Sequence, residues 1–265
     1  MIAMKHISSR DNPSYKSLQR LANHAGRRGA QALLEGVHLC QAWLAQQGAP
    51  VLAVFDAERV DRPELADLLA AVPSNSVLLL DSRLMKALET VEAGQGVLFA
   101  VEPPAPELPE RLQGNMLWLD AVQDPGNVGT ILRTCAAAGI DRVLLGKGTA
   151  AAWSPKVLRS GQGAPFALTI HEHVDLAACV DRLDVPLAVT TLDRADELYA
   201  TQLPASCAWV FGHEGQGVSQ SLQQAARLRV RIDHDQAVES LNVGIAAALC
   251  LFEQRRQHKL PTRTG

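Results

Sequence analysis

The sequence lacks an N-terminal apolar run of signal-peptide length and any stretch apolar enough to span a bilayer. No leader or membrane anchor is therefore predicted, and we expect a cytoplasmic protein. A hydrophobic content of 47% with 20% charged residues is typical of globular proteins, and 265 residues are enough for two compact domains or one large one.

Cysteine is scarce and scattered, and the odd number of five argues against a disulfide framework or a zinc site. Reduced thiols in the core are the better interpretation. The run His171-Glu172-His173 is a poor metal site, because successive strand residues point to opposite faces and a third ligand is missing. We expect no metal. The cysteines are Cys40, Cys135, Cys179, Cys207 and Cys250.

Basic residues are concentrated at the two ends of the chain, although the net charge is −3. Residues 1–30 carry about +5 and residues 251–265 about +3, which leaves about −11 for the middle. A basic arm on an acidic body is typical of a phosphate-binding surface, but a solvated helix explains the charge equally well. The candidate phosphate-binding residues are Arg10, Lys16, Arg20, Arg27 and Arg28.

Helices and strands alternate along the chain, which predicts an α/β protein. Four prolines between Glu102 and Pro109 cannot join a sheet and favour a stiff extended spacer. We therefore predict a small α/β/α domain at 1–102, a linker at 103–113 and a second domain at 114–265. The first domain has predicted helices at 13–24, 37–47, 63–71 and 82–89, with strands at 32–36, 51–55, 77–80 and 96–101.

Unbroken apolar strands between helices in the second domain predict a parallel sheet covered on both faces. Its predicted strands are 117–122, 142–145, 166–170, 186–190, 208–212 and 228–232. Ligands of such sheets bind beyond the carboxyl ends of the strands. This rule points to four loops, at residues 123–127, 190–194, 212–219 and 233–240.

The last helix is predicted to begin after Ser240 as its N-cap and to end near Gln257. From Ile245 to Phe252 every residue is apolar or small, so burial on all sides is expected. A capped core helix would be the preferred interpretation if this segment stood alone.

Two of the loops contain residues suited to ligand binding. In Asp124-Pro-Gly-Asn127 we expect Asn127 to cap the following helix, from which Arg133 projects as a solvated side chain or a phosphate-binding cation. Three glycines in Gly212-His-Glu-Gly-Gln-Gly217 allow close backbone approach to a ligand. Their spacing is not that of a dinucleotide-binding fingerprint, which excludes a dehydrogenase-type nucleotide site.

Three segments taken together resemble the motifs of the SpoU/TrmH family, the SPOUT-class RNA ribose 2′-O-methyltransferases. They are Asn127-Val-Gly-Thr-Ile-Leu-Arg133-Thr, Gly212-His-Glu-Gly-Gln-Gly217 and Glu239-Ser-Leu-Asn-Val243, in this order and spacing. The resemblance covers about residues 115–257. Residues 9–13 and 34–36 resemble, more loosely, the ribosomal-protein-like RNA-binding module of many members.

The resemblance implies a C-terminal α/β trefoil knot with the last helix threaded through a loop, and a homodimer formed through this domain. It also implies S-adenosyl-L-methionine as cofactor, bound among the knot loops. After Ile232 this chain departs from the family pattern, because Asp233 and His234 stand where proline and an apolar residue are usual. The implied cofactor-binding residues are Thr190, Thr191, Gly212, Glu214, Gly215, Gly217, Ile232, Leu241 and Asn242.

The resemblance assigns Arg133 to the ribose hydroxyl, with Asn127, Ser240 and Asn242 orienting it and Glu214 fixing Asn127 or the loop. Methyl transfer needs in-line positioning and a group that handles the hydroxyl proton. Arginine has a pKa above 12 and is an awkward base. We therefore expect it at least to bind the substrate phosphate and to stabilise the forming alkoxide.

Ribosomal RNA is the favoured substrate because the N-terminal part is similar to those of ribosomal enzymes. The alternatives are a transfer-RNA 2′-O-methyltransferase and a catalytically silent RNA-binding assembly factor. The complete set of motif residues argues against the silent factor.

Overall fold

A computed structural model of the chain describes residues 4–24, 31–90, 94–235 and 237–258. Its strands are β1 Lys5–Ile7, β2 Ala32–Glu35, β3 Leu52–Asp56, β4 Val77–Leu80, β5 Val97–Val101, β6 Met116–Asp120, β7 Arg142–Gly146, β8 Thr169–Val174, β9 Leu187–Thr190, β10 Asp196–Glu197, β11 Ala208–Gly212 and β12 Leu228–Arg231. Its helices are α1 Pro13–His24, α2 Val37–Gln46, α3 Pro63–Ala71, α4 Ser82–Lys86, α5 Pro125–Ala138, α6 Pro155–Gly161, α7 Leu176–Cys179, α8 Gln220–Ala225 and α9 Val243–His258.

The chain forms two compact units. Met1–Pro104 and Trp153–Phe166 make the first, and Ala105–Ala152 with Ala167–Gly265 make the second. The segment with α6 thus belongs to the first unit by its contacts, although it lies far along the sequence.

The first unit contains a five-stranded sheet in the order β1-β4-β3-β5-β2, in which β5 is antiparallel to both of its neighbours. Trp43 on α2 packs edge-on against Trp153 and Phe166, with ring centroids 6.3 and 5.3 Å away. This aromatic contact explains why the segment around α6 joins the first unit, since large aromatic side chains bury much apolar area.

The second unit contains a seven-stranded sheet in the order β10-β12-β9-β11-β6-β7-β8, and every neighbouring pair is parallel. The predicted parallel sheet is therefore confirmed. Its central strands are buried on both faces, as shown by Trp118, Trp209 and Phe211, which are almost fully covered. The strand predicted at 166–170 was misplaced, because residues 164–167 form a 3-10 turn and β8 follows it.

The order of the strands creates a switch point beside β6. The chain leaves β6 toward β7 and β8 on one side and then builds β9, β11 and β12 on the other. Because β12, β9, β11 and β6 are adjacent and parallel, their carboxyl ends meet at one edge of the sheet. The four loops named from the sequence all begin at this edge.

Two sequence expectations about α9 are wrong. Asn242, not Ser240, caps the helix, because its Oδ1 accepts from the backbone N–H groups of Gly244 (2.8 Å) and Ile245 (3.3 Å). The helix is also not covered on all sides, since 52% of Ile245 and 45% of Phe252 are exposed. These two residues are seven apart and lie on one face of the helix, so α9 has an open apolar face.

The polar end of α9 is held by a buried hydrogen-bond network centred on Gln254. Its Oε1 accepts from Trp209 Nε1 (2.9 Å), and its Nε2 donates to Asn115 Oδ1 (2.9 Å) and to the Pro204 carbonyl (3.0 Å). Gln254 is fully buried. Burial of an amide is tolerated only when its donors and acceptors are satisfied, so the network fixes the helix end relative to β11 and the chain before it.

The proline-rich segment is bound to the second unit. The guanidinium of Arg182 donates to the carbonyls of Leu108 (3.2 Å) and Pro109, and the ring of His171 donates through Nδ1 to the Pro106 carbonyl (3.2 Å). Burial lowers the pKa of His171, which keeps the ring neutral. Proline has no N–H and cannot take part in a β-ladder. The carbonyls of this segment therefore accept hydrogen bonds from side chains instead of from a neighbouring strand.

Among the described residues, no helix is long and apolar enough to cross a membrane. All five cysteines are buried as free thiols, as the sequence predicted. Burial raises the pKa of the Cys207 thiol to about 12, so this thiol is protonated and unreactive at neutral pH.

Candidate active site

A cavity of about 600 Å³ opens at the edge where the four loops meet. The loops after β9, β11 and β12 and the start of α9 form its walls. All nine residues that the resemblance implies for cofactor binding line it: Thr190, Thr191, Gly212, Glu214, Gly215, Gly217, Ile232, Leu241 and Asn242.

A chain of amides and a carboxylate joins three of the loops. Asn127 Nδ2 donates to Glu214 Oε1 (3.0 Å), and Asn242 Nδ2 donates to Asn127 Oδ1 (2.9 Å). The same Asn242 caps α9 through its Oδ1. The network therefore ties the start of α5, the glycine-rich loop after β11 and the start of α9 into one rigid arrangement.

Glu214 also binds the backbone that precedes α5. Its carboxylate accepts from the N–H groups of Gln123 and Asp124, both at 3.1 Å. Desolvation alone would raise the pKa of Glu214, but the hydrogen bonds from Asn127 and these backbone groups outweigh it and lower the pKa. The ionised carboxylate is thus the form that holds the loops together.

Replacing Glu214 with glutamine is expected to loosen this arrangement, because an amide nitrogen would face groups that can only donate. The folded pKa of Glu214 lies below its ordinary value, so its stabilisation is complete above about pH 4.3 and is lost as the pH falls through the folded value. We expect a melting temperature about 2–4 °C below wild type at pH 7, from a loss of about 1 kcal/mol. Thermal melts between pH 7 and pH 3 check this, and a difference that stays constant with pH would contradict it.

The glycine-rich loop is a tight turn that returns to its own start. A Cβ on Gly212 would lie 2.2 Å from the carbonyl carbon of Gly217 and 2.3 Å from the amide nitrogen of Val218, which are backbone atoms. Gly217 has a φ of +69°, in the left-handed region that favours glycine. At both positions glycine is therefore required by the geometry.

The loop after β12 is closed by His234 at the point where this chain departs from the family pattern. Its Nδ1 donates to the Ile232 carbonyl at 2.8 Å, and both residues line the cavity. Asp233 lies 3.5 Å from the guanidinium of Arg231. The turn is thus constrained by side-chain contacts rather than by a proline ring.

The positions of the other residues predicted for catalysis follow. Ser240 lines the cavity. Arg133 is exposed on α5 and is not part of the cavity wall, and its guanidinium makes no hydrogen bond or ion pair with the described residues. Asn127 lies in the first turn of α5, and the prediction that it caps this helix is wrong, because Asp124 is the cap.

Asp124 and Asp120 are residues that the sequence reasoning missed. Asp124 caps α5, accepting from Asn127 N at 3.0 Å, and Asp120 accepts from Ser219 N at 2.8 Å, which fastens the end of the glycine-rich loop to β6. Pro125 gave a usable signal for the cap, since proline favours the first helical position. The sequence gives no signal for the Asp120 contact, which joins residues 99 apart.

The described basic residues among those proposed for phosphate binding lie in the first unit. Arg10 is exposed before α1, and Lys16 on α1 lies 3.0 Å from Asp11. Arg20 is exposed near the end of the same helix. Arg27 and Arg28 lie outside the described residues. Within the described part of the chain, no group of three or more His, Cys, Asp or Glu side chains is placed to hold a metal ion.

Comparison with protein families gives a match to the SpoU rRNA methylase family over residues 114–252. A curated protein of Synechocystis, described as an uncharacterized tRNA/rRNA methyltransferase, is 35% identical over 98% of this chain and 96% of its own length. RlmP of Bacillus subtilis, a 23S rRNA (guanosine(2553)-2′-O)-methyltransferase, is 32% identical over 95% of this chain and all of its own.

Solved structures agree with this result. An RNA 2′-O ribose methyltransferase superimposes with a TM-score of 0.79 and 28% identity, over 96% of this chain and all of that one. The SpoU methyltransferase AviRb of Streptomyces viridochromogenes, solved with AdoMet, shares the fold, with a TM-score of 0.82 and 22% identity over 95% of this chain and all of its own. The resemblance seen in the three motifs is thereby confirmed, and the chain belongs to the SpoU rRNA methylase family.

Proposed function

We propose that this protein transfers a methyl group from S-adenosyl-L-methionine to a ribose 2′-hydroxyl of RNA, with ribosomal RNA as the favoured substrate. The observation that carries the proposal is the cavity at the loop edge, lined by all nine implied cofactor residues and joined to the Asn127–Glu214–Asn242 network. Proteins that share the family or the fold are described as ribosomal RNA 2′-O-methyltransferases and as AdoMet-bound enzymes.

The cavity fits a cofactor with an apolar ring system and a positive centre. Leu192, Ile232 and Leu241 supply apolar lining, and Asp193 and Glu239 supply carboxylates, in addition to Glu214. Arg231 is a cation in the lining, but its charge is shared with the nearby Asp233. Carboxylates near a bound sulfonium lower its electrostatic energy.

The chain's own residues would position the reactants and handle charge. S-adenosyl-L-methionine supplies a methyl group that its sulfonium already activates. Asn127 and Asn242 hold the loops so that the target ribose meets a fixed wall. Arg133, free of ion partners within the described residues, binds a substrate phosphate and stabilises the alkoxide as the 2′-hydroxyl loses its proton to water. The exposed Arg10, Lys16 and Arg20 bind the RNA backbone.

We further propose that the protein is a homodimer and that α9 is threaded through a loop as a trefoil knot. The open face with Ile245 and Phe252 is an apolar surface of the kind that a second copy covers. The polar end of α9 donates from Gln257 to the Thr201 carbonyl (3.0 Å), which supports enclosure of the helix by the preceding chain. Light scattering at micromolar concentration should give the mass of two chains; a single-chain mass would contradict the dimer.

Calorimetric titration with S-adenosyl-L-methionine, followed by mapping of 2′-O-methylated nucleotides in RNA from a deletion strain, tests the proposed activity. We expect one binding site per chain and loss of methylation at one ribosomal position, restored by the wild-type gene. Loss of methylation in transfer RNA would identify transfer RNA as the substrate. Cofactor binding without any loss of 2′-O-methylation in the deletion strain would favour a catalytically silent RNA-binding factor. Since ribosomal RNA is the proposed substrate, a cytoplasmic location is part of the same proposal.

A further inference from the structure

A single residue, His213, accepts hydrogen bonds from three successive backbone N–H groups of the glycine-rich loop. Its Nδ1 accepts from Gly215 N at 2.9 Å and from Gln216 N at 3.2 Å, and its carbonyl oxygen accepts from Gly217 N at 2.8 Å. His213 and Gly217 also form an isolated antiparallel bridge. The turn is therefore folded around this residue.

The side-chain part of this arrangement requires a particular chemical form of the ring. An imidazole nitrogen that accepts from two N–H groups has no proton of its own, so the proton of the neutral ring is on Nε2. The protonated ring, leucine and lysine have no acceptor at this position. Asparagine has one, because its Oδ1 is as many bonds from the backbone as Nδ1 of histidine.

The loop needs such a device because three of its six residues are glycine. Glycine loses more conformational freedom on ordering than other residues. A ligand that had to order a loop of this composition would therefore bind less tightly. The loop also includes Glu214, next to His213, whose carboxylate must face Asn127 and the backbone before α5. Fixing the turn therefore orders the cavity wall and the polar network together.

We infer that His213 is a positioning residue for the methyl donor, whose neutral imidazole preorganises the loop from Gly212 to Gly217 as a wall of the cofactor cavity. The inference rests on the proposed function, because it takes the cofactor to bind in this cavity. His213 itself lines the cavity and is half-buried. Its contribution acts on cofactor affinity far more than on the transfer step, since Arg133, the group assigned to the hydroxyl and phosphate, lies on α5 and is not part of the cavity wall.

The test compares His213→Leu, which keeps bulk and removes the acceptor, with His213→Asn, which restores an acceptor. For His213→Leu we expect the Kd for S-adenosylhomocysteine and the KM for S-adenosylmethionine to rise about tenfold to thirtyfold, as for two lost hydrogen bonds. The kcat at saturating cofactor should stay within about threefold of wild type, since uniform binding is lost. His213→Asn should restore Kd and KM to within about threefold.

Equal loss in both variants, or a fall in kcat with unchanged KM, would overturn the inference. A third variant, Leu241→Trp, fills the same cavity from the loop before α9. It shows whether the cofactor binds in this cavity at all, and so tests the proposed function separately from the role of His213. If Leu241→Trp abolishes binding and His213→Leu does not weaken it, only the role of His213 is wrong. If neither variant affects binding, the cofactor lies elsewhere and both proposals fail. Circular dichroism and thermal melts establish that each variant is folded.

Discussion

Alanine at Gly212 is expected to weaken binding of S-adenosylmethionine by about 30-fold to 100-fold. The added Cβ would meet the carbonyl carbon of Gly217 at 2.2 Å and its oxygen at 2.3 Å, and neither atom belongs to a side chain that could rotate away. The two ends of the glycine-rich loop must therefore separate. Overpacking of this kind costs about 1–3 kcal/mol and more where backbone must move, and here the movement opens a cavity wall.

Calorimetric titration of the purified variants measures this effect, with Gly215→Ala as the comparison. A Cβ on Gly215 would lie 3.7 Å from the ring of His213, which is ordinary van der Waals contact. Gly215 also lines the cavity, so this variant loses some affinity through contact with the cofactor itself, but we expect a smaller loss than for Gly212→Ala because its Cβ displaces no backbone atom. Equal affinities of the two variants, or wild-type affinity for Gly212→Ala, would show that the tight turn does not shape the binding site.

The sequence was sufficient to predict the parallel sheet of the second unit and the edge of that sheet at which its loops meet. Strand β11 and the first four residues of β6 are entirely apolar, a pattern typical of a parallel sheet covered on both faces. Once the sheet is parallel, the loops after its adjacent strands must meet at one edge. The cofactor residues implied by the motifs accordingly line one cavity, although their contacts with a ligand remain a prediction.

The hydrogen-bond partners within the site could not be predicted from local sequence. Glu214 and Asn127 are 87 residues apart and Asn242 and Asn127 are 115 apart, so their pairing depends on the complete sheet. Asn127 and Ser240 are good capping residues by type, yet Asp124 and Asn242 are the residues whose side chains accept from the first-turn N–H groups of α5 and α9.

The open face of α9 was missed for a different reason. A helix that is apolar on all sides indicates that every side is covered in the working protein, but not whether the cover comes from the same chain. Ile245 and Phe252 are exposed in the single chain. The apolar pattern is therefore equally consistent with burial in a dimer, which is the state proposed for this protein.

Replacing Arg133 with alanine is expected to lower the turnover number for methyl transfer by about 10²–10³-fold or more, the usual effect of removing a group that stabilises developing negative charge. The Kd for S-adenosylmethionine should change by less than about twofold, because Arg133 is not part of the cavity wall. Lysine at this position keeps the charge and loses the bidentate geometry, so Arg133→Lys should retain only part of the activity.

Single-turnover methylation of an RNA substrate at saturating cofactor measures the transfer step separately from binding, and calorimetry measures cofactor affinity. Arg83→Ala, which removes an exposed arginine of α4, is the control for a general loss of positive charge and should be near wild type. If Arg133→Ala turns over near the wild-type rate, another group must stabilise the forming alkoxide. If Arg133→Ala also loses cofactor affinity, Arg133 acts through the cofactor cavity. Its proposed role in the transfer step would then be wrong.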